Sequence, residues 1–274
     1  MRLLFWNTHM NENINPYIAS LVKDNDIDTL VLSEYNADKE ELSRLLNSNN
    51  CYLDECNTIG CDRISVWSSY IKVKSGSQQK YYSIQVINDE FILCGVHFIS
   101  DLHGDRSDER LAIAQTIMHE ITEQEKKAKI QCTIIIGDIN EMPYERGCLN
   151  ANGFHGLPVL GISDKPTRKV NDIEYRKFYN PMWNLLGDFS YPPGTYYLNQ
   201  SKLRSPMWYI FDQVIISQDV IPSFVKEKLK IITSCGYGDL TDKSGHPDQE
   251  ISDHFPIMCE IRDKKRCERV EYNE

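Results

Sequence analysis

The sequence lacks several features that would assign it to whole classes of protein. No apolar run approaches the roughly 18 residues that cross a bilayer, so no membrane-spanning helix is expected. Met1-Arg2 leads straight into an apolar run without a signal-peptide pattern, and these two absences predict a cytoplasmic protein. No Pro/Gly/Ser-rich linker, low-complexity tract or internal repeat divides the 274 residues, which predicts one domain over residues 1–274.

The cysteine pattern argues against both a disulfide framework and a zinc site. The nine cysteines are odd in number, and Cys94 and Cys259 lie inside apolar runs, as small reduced buried side chains do. Cys51, Cys56 and Cys61 recur at spacings of five, wider than a zinc knuckle, and no histidine pair accompanies them.

Positive charge is also scarce, because the formal net charge is −10, and this argues at first against a polyanionic substrate. One segment departs from that balance: positions 165 to 204 hold seven basic against three acidic residues, interleaved with aromatics. Such a segment is typical of a surface that contacts phosphates and stacks on bases, although a solvated loop with aromatic core anchors fits the pattern as well. The basic residues are Lys165, Arg168, Lys169, Arg176, Lys177, Lys202 and Arg204.

The first five of these are the candidate substrate-binding residues, with a nucleic acid, DNA in preference, as the predicted partner. If they lie away from the site, the expected substrate becomes a small phosphodiester or phosphomonoester.

The order of apolar patterns predicts an α/β fold. Strands are expected at 2–6, 28–33, 62–74, 81–88, 91–98, 132–136, 208–217 and 256–262. Helices are expected behind Pro16, at about 38–49 and at 107–128. The segment 153–204 shows no sustained hydrophobic period, and loops of this length are often binding loops. Strands in two blocks with helices between them predict two mixed or antiparallel sheets packed face to face with helices outside, a four-layer α/β sandwich.

Polar residues follow one apolar run after another. They are Asn7, Glu34, His97, Asp138 with Asn140, and Asp212, and the pair Asp253 and His254 stands just before the last apolar run. A single polar residue after a strand is usually a turn former or a helix cap, but several strands that end at one rim bring their polar residues together. An adjacent Asp-His pair offers a metal-binding carboxylate and a general base, and a second Asp can orient that base.

On these motifs the chain resembles the endonuclease/exonuclease/phosphatase superfamily, whose relatives include deoxyribonuclease I, exonuclease III-like enzymes and sphingomyelinases. The resemblance spans nearly the whole chain, in the family's order. The motifs are Leu4-Phe5-Trp6-Asn7, Leu32-Ser33-Glu34, Gly95-Val96-His97, Ile136-Gly137-Asp138-Ile139-Asn140, Phe211-Asp212-Gln213-Val214 and Ser252-Asp253-His254.

The resemblance implies a role for each residue. Glu34 would be the main Mg²⁺ ligand, with Asp253 and Asn7 nearby and Mn²⁺ as an alternative ion. His254, oriented by Asp212, would take a proton from the attacking water or act as a positively charged phosphate anchor. Asp138 would position or deprotonate the nucleophile, whereas Asn140, Asn7 and His97 would hold non-bridging phosphate oxygens. The implied chemistry is in-line attack of water on a phosphodiester, most simply that of a DNA nuclease.

Differences from the motifs of particular family branches limit which subfamilies the chain resembles. Ile135-Ile136-Gly137-Asp138 and Ile210-Phe211-Asp212-Gln213 lack the Trp and Cys-Asp-Arg features of inositol polyphosphate phosphatases. His97 stands where exonuclease III-like enzymes use a tyrosine, and Gly194-Thr195-Tyr196-Tyr197 resembles poorly characterised bacterial members. A small-molecule or lipid phosphoesterase and a non-catalytic nucleic-acid-binding module stay open as alternatives, and the sequence predicts no protein partner.

Overall fold

The computed structural model describes residues 1–101, 104–159, 165–200 and 205–262. The helices, numbered in chain order, are α1 (Asn15–Asp24), α2 (Lys39–Ser48), α3 (Ser107–Ala128) and α4 (Arg146–Leu149), with 3₁₀ turns at Pro181–Leu185 and Ile221–Ser223. Lys202, Arg204 and the predicted charged tail beyond Arg262 lie outside the described residues.

Nineteen strands accompany the helices in the described residues. They are β1 (Arg2–Asn7), β2 (Thr29–Ser33), β3 (Asp54–Glu55), β4 (Ile64–Ser68), β5 (Val73–Gln79), β6 (Tyr82–Ile87), β7 (Phe91–His97), β8 (Thr133–Asp138), β9 (Gly156–Leu157), β10 (Thr167–Val170), β11 (Ile173–Arg176), β12 (Phe178–Tyr179), β13 (Tyr196–Tyr197), β14 (Trp208–Tyr209), β15 (Asp212–Ser217), β16 (Phe224–Ile231), β17 (Ser234–Cys235), β18 (Gly238–Asp239) and β19 (Ile257–Ile261).

Two mixed sheets hold most of these strands. A six-stranded sheet has the order β16-β19-β1-β2-β4-β3, and a seven-stranded sheet has the order β5-β6-β7-β8-β15-β12-β9. The pairs β1–β2, β7–β8 and β9–β12 are parallel, and the remaining neighbours in the two sheets are antiparallel. The hairpins β10-β11, β13-β14 and β17-β18 stand apart from the two sheets.

Successive side chains along a strand point to opposite faces of its sheet, and their packing on both faces gives four layers. In β1, Leu3 and Phe5 pack between the sheets, whereas Leu4 and Trp6 pack in a second cluster with the apolar faces of α1 and α2. In β8, Ile134 and Ile136 face the first sheet, and Ile135 packs under α3. The order helix pair, sheet, sheet, helix is therefore the predicted four-layer sandwich, and the fold class is confirmed.

The observed elements differ from the predicted ones mainly where one apolar run divides between the sheets. The run 62–74 forms β4 in the six-stranded sheet and the start of β5 in the other, so the predicted meander is β5-β6-β7. The strand β16 was not predicted, because its Lys226-Glu227-Lys228 centre is exposed at a sheet edge and carries no apolar pattern. No helix in the described ranges is long and apolar enough to cross a membrane.

Candidate active site

The polar ends of neighbouring strands meet at one rim of the sandwich. In the seven-stranded sheet His97 is opposite Asp138, and Asp138 is opposite Asp212. In the six-stranded sheet Asn7, the last residue of β1, is opposite Ser33, so Glu34 follows directly beyond it. Since the sheets pack face to face, both contribute to one cluster.

Asp138 is the buried centre of this cluster. It is 1% exposed, and its Oδ2 accepts hydrogen bonds from Asn7 Nδ2 and Asn140 Nδ2, each at 3.1 Å. The backbone N–H of Asn140 donates to the other oxygen at 2.9 Å. Burial and the neighbouring carboxylate of Asp212 raise the pKa of Asp138, and His254 and His97 act in the opposite sense.

His254 and Asp212 form a hydrogen-bonded pair beside Asp138. His254 Nδ1 lies 2.8 Å from Asp212 Oδ2, and His254 Nε2 lies 3.9 Å from both Asp138 Oδ2 and Asp253 Oδ1. Burial disfavours the imidazolium, but the three carboxylates outweigh it, Asp212 most strongly, and raise the pKa of His254 to about 10. The pair therefore fixes a cationic imidazole with Nε2 directed at the cluster.

Glu34 and His97 form the opposite side of the cluster. His97 Nε2 lies 3.3 Å from Glu34 Oε1 and 3.8 Å from Asp138 Oδ2, and Asn7 Nδ2 lies 3.4 Å from the same Glu34 oxygen. The hydrogen bond from His97 lowers the pKa of Glu34 to about 2 despite its burial. Glu34 is therefore ionised, and its side chain is 31% exposed, so it faces solvent at the mouth of the site.

The loop that carries Asp253 and His254 is tied to the first strand. Ser252 Oγ donates to the carbonyl of Asn7 at 2.7 Å, and the N–H of His254 donates back to Ser252 Oγ at 3.1 Å. The indole N–H of Trp6 donates to the carbonyl of His254 at 2.8 Å. These contacts explain why a Ser precedes the Asp-His pair and a Trp precedes Asn7.

Backbone geometry at the rim also restricts the sequence. A Cβ on Gly137 would lie 1.9 Å from the carbonyl oxygen of Val96, so only glycine lets β8 approach β7 just before Asp138. Glu34 and Asn140 have φ of 50° and 52°, a left-handed conformation that costs non-glycine residues about 1 kcal/mol or more. Such strain persists where the surroundings over-determine the conformation, which is typical of functional sites.

The charge of the cluster fits a hard divalent cation. Within the described ranges, the ion-pair partners of Glu34, Asp138, Asp212 and Asp253 are histidines alone, with no lysine or arginine. Asp138, Asp212 and His254 place ligand atoms within 4.8 Å of one another, but the His254–Asp212 hydrogen bond already uses two of those atoms. The partly exposed carboxylate oxygens of Glu34 and Asp253 are more accessible to a metal ion. Two such carboxylates are sufficient, since Mg²⁺ takes one or two carboxylates and keeps several waters.

The structure does not bring the basic segment to this rim. Arg168 and Lys169 lie on β10 and Arg176 ends β11, with Lys165 and Lys177 beside that hairpin. Arg176 donates to the carbonyl of Gln131 at 2.7 Å and pairs with Glu125 and Asp219. Gln131 precedes β8, whose far end is Asp138, so at 3.3 Å per residue the hairpin lies about 20 Å from the site.

Two residues of the cluster were not assigned from the sequence. His9 Nδ1 lies 3.1 Å from Asp253 Oδ1. The ring of Tyr196 lies 4.7 Å from that of His254, and burial together with Asp253 and Asp138 raises the pKa of the Tyr196 hydroxyl to about 12. Both residues stand on loops or short hairpins, which apolar periodicity does not locate. The resemblance of the stretch 194–197 to bacterial relatives was the available signal for Tyr196.

Comparisons with solved structures agree with this architecture. Over 96% of its length the chain matches 99% of the Neisseria 3′ phosphatase NExo bound to a product DNA hairpin, with 13% identity and a TM-score of 0.57. Truncated Caenorhabditis elegans TDP2 matches over 96% of this chain and 97% of its own, with 15% identity and a TM-score of 0.55. The human Nocturnin catalytic domain with bound sulfate matches over 96% and 94%, with 13% identity and a TM-score of 0.54.

No protein-family model and no curated protein matches the sequence. The structural neighbours are members of the endonuclease/exonuclease/phosphatase superfamily, and the chain has the DNase I-like fold of that superfamily.

Proposed function

We propose that the protein is a divalent-metal-dependent phosphodiester hydrolase that activates water for in-line attack on phosphorus. One observation carries the proposal: Asn7, Glu34, His97, Asp138 and the His254–Asp212 pair meet at one rim through contacts of 2.8 to 3.9 Å. A structural role does not require this set, because the strands already pair below it. The fold shared with NExo, TDP2 and Nocturnin supports the same class of chemistry.

Glu34, with Asp253 and Asn7 nearby, is assigned to the metal. A bound divalent ion would neutralise charge on the phosphate oxygens as the transition state forms. The ion is proposed to be Mg²⁺, with Mn²⁺ as a substitute, because the donors are oxygens and no Cys-His set lies near them in the described part of the chain.

The remaining residues are assigned to proton transfer and charge stabilisation. Asp138 lies at hydrogen-bond distance from two amides and faces the Nε2 atoms of both His97 and His254. It is therefore the base best placed to position and deprotonate water. His254, held by Asp212, stabilises negative charge on the phosphate as an imidazolium, which favours the anchor over the general base of its two expected roles. Asn7, Asn140 and His97 are assigned to the non-bridging oxygens, and on substrate binding the Asn7 and Asn140 amides would exchange hydrogen bonds within the cluster for hydrogen bonds to the phosphate.

A nuclease acting on DNA and a small-molecule or lipid phosphoesterase are the two specific forms of this proposal, and the position of the basic hairpin by itself favours the second. The basic hairpin lies about 20 Å from the site by strand geometry, so it gives no support to a polynucleotide there. The DNA form therefore depends on other surfaces near the rim.

The test is a hydrolysis panel with Mg²⁺, with Mn²⁺ and in excess chelator. Its substrates are single- and double-stranded DNA, RNA, bis-p-nitrophenyl phosphate and p-nitrophenyl phosphate. We expect metal-dependent cleavage of at least one diester, loss of it in Asp138→Asn and retention in Asp108→Asn, which alters an exposed α3 carboxylate. Turnover that persists in chelator, or in Asp138→Asn, would contradict the proposal.

A further inference from the structure

A second cationic surface, unlike the basic hairpin, borders the Glu34 and His97 side of the rim. The N–H of His97 donates to the carbonyl of Tyr81 at 3.0 Å, so Tyr81, which directly precedes β6, lies beside His97. In the six-stranded sheet, Arg63 precedes Ile64, which is opposite Ser33. Arg63 therefore lies beside Glu34. Neighbouring strands are about 4.8 Å apart, which places both residues one strand spacing from the cluster.

Two cationic side chains lie over the ring of Tyr81. Arg63 Cζ lies 5.2 Å from the ring centroid and Lys80 Nζ lies 5.3 Å from it, both within range of a cation–π interaction. Arg63 comes from the six-stranded sheet and Tyr81 from the seven-stranded one. The contact therefore spans both sheets at the end of the sandwich that carries the site.

Throughout the described part of the chain, Arg63 and Lys80 form no ion pair with a carboxylate. By contrast, Arg176 of the far hairpin is paired with Glu125 and Asp219, and Lys169 is paired with Asp172. A cation without a carboxylate partner, held by an aromatic ring, is free to take a phosphate, and a guanidinium does so with two hydrogen bonds.

We propose that Arg63, Lys80 and Tyr81 form a substrate-binding surface for the phosphates of a polynucleotide strand next to the scissile phosphodiester. The proposal rests on the proposed function and deepens it, because it assigns the substrate class to a polynucleotide. A surface one strand spacing from Glu34 and His97 suits the adjacent phosphate rather than the reacting one. A small diester would occupy the cluster without reaching it. Tyr81 acts as a positioning residue that holds the two cations on one side of the cleft.

The test compares two double variants that remove the same charge. Arg63→Ala/Lys80→Ala acts at the proposed surface, and Arg168→Ala/Lys169→Ala acts at the far hairpin. For each, kcat/KM is measured across a salt series with a single-stranded oligonucleotide and with bis-p-nitrophenyl phosphate. The first variant should lose roughly 100-fold in kcat/KM on the oligonucleotide at low salt, the size of two lost charge-assisted contacts at about tenfold each. Its log–log salt slope should become shallower by about 1.4, since each single-strand phosphate contact contributes about 0.7.

Activity on bis-p-nitrophenyl phosphate should stay unchanged in both variants, and the far-hairpin variant should match the wild type on both substrates. Tyr81→Phe should retain the oligonucleotide activity and Tyr81→Leu should lose part of it, because only the ring face holds the cations. An unchanged salt slope, an equal loss on the small diester, or an equal loss in the far-hairpin variant would overturn the proposal.

Binding of a fluorescently labelled oligonucleotide in chelator separates this proposal from the proposed function. If the wild type hydrolyses no diester, the function fails, yet the salt slope of binding still tests the surface. If the wild type hydrolyses bis-p-nitrophenyl phosphate but does not bind the oligonucleotide, the surface is refuted and the hydrolase stands.

Discussion

At the scale of single residues, the surroundings of His254 determine both its charge and its orientation. Three carboxylates surround a buried imidazole, and together they raise its pKa to about 10. Asp212 is responsible for the largest part of that increase, and it holds Nδ1 so that Nε2 points at the cluster. The orientation and the charge of His254 therefore both depend on Asp212.

We expect His254→Ala and Asp212→Asn to lower kcat by about 10²- to 10⁴-fold with little change in KM, because both groups act on charge that develops in the transition state. Steady-state kinetics on bis-p-nitrophenyl phosphate measure both parameters. His246→Ala serves as the control, since the ring of that histidine stacks on Tyr197 with centroids 3.6 Å apart and, within the described residues, contacts Asp242 and Trp208 rather than the cluster. A raised KM with full kcat in either site variant would refute the assigned roles.

Tyr196 gives a second prediction at this scale. Its ring packs on His254 and on Phe211 at 5.3 Å, and its hydroxyl is near Asp253 and Asp138. If the ring positions the imidazole, Tyr196→Phe should retain kcat and Tyr196→Ala should lower it roughly tenfold. An equal loss in the two variants would instead indicate that the hydroxyl takes part in the reaction. Comparing kcat of both with the wild type makes the distinction.

Site residues at strand ends were predictable from the sequence, as was the Asp253-His254 pair through its motif, whereas His9 and Tyr196 were not. Asn7, Glu34 and Asp138 follow apolar runs, and the strand period alone places such residues at a sheet rim. The position of Arg63 beside Glu34 depends on the pairing of β4 with β2, which no local pattern specifies. The basic hairpin was chosen by composition, and composition carries no information on which end of a sheet a loop occupies.

At the scale of secondary-structure elements, Arg110 in α3 holds the two loops that leave the site. It is 2% exposed, and its guanidinium donates to Asp101 at 2.7 Å, to the carbonyl of Ile99 at 3.2 Å and to Glu141 at 3.3 Å. Ile99 follows His97 by two residues, and Glu141 follows Asn140 directly. The helix thus fixes both strand ends, although its apolar periodicity predicts only its packing on the sheet.

Arg110→Met should lower the free energy of unfolding by about 3–5 kcal/mol, because it leaves the buried Glu141 carboxylate without its cation. Urea unfolding measures the change. Arg146→Ala, which removes an exposed pair with Asp108, should cost less than about 1 kcal/mol. The double variant Arg110→Met/Glu141→Gln should recover most of the loss, since the Gln amide oxygen still accepts from the N–H of Gly147 and no charge then remains buried. No recovery would mean that the pair acts chiefly through loop geometry.

At the scale of the whole molecule, the site joins the two sheets. Asn7 and Glu34 belong to the six-stranded sheet, and His97, Asp138 and Asp212 belong to the seven-stranded sheet. Carboxylates from both sheets face one another across the rim, with the side chains of His97, His254 and Asn7 between them and no lysine or arginine in the described residues. A bound divalent ion would therefore relieve repulsion between the two halves of the sandwich as well as serve the chemistry.

This geometry predicts that Mg²⁺ stabilises the folded protein against global unfolding, independently of any substrate. At a metal concentration 100-fold above its dissociation constant, binding adds about 2.7 kcal/mol, which raises Tm by roughly 5 °C in a chain of this length. Thermal unfolding with and without Mg²⁺ measures the shift. Glu34→Gln should abolish most of it, whereas Glu123→Gln, at an exposed position of α3, should keep it. A full shift in Glu34→Gln would mean that the ion binds elsewhere, and the metal assignment at the rim would then be wrong.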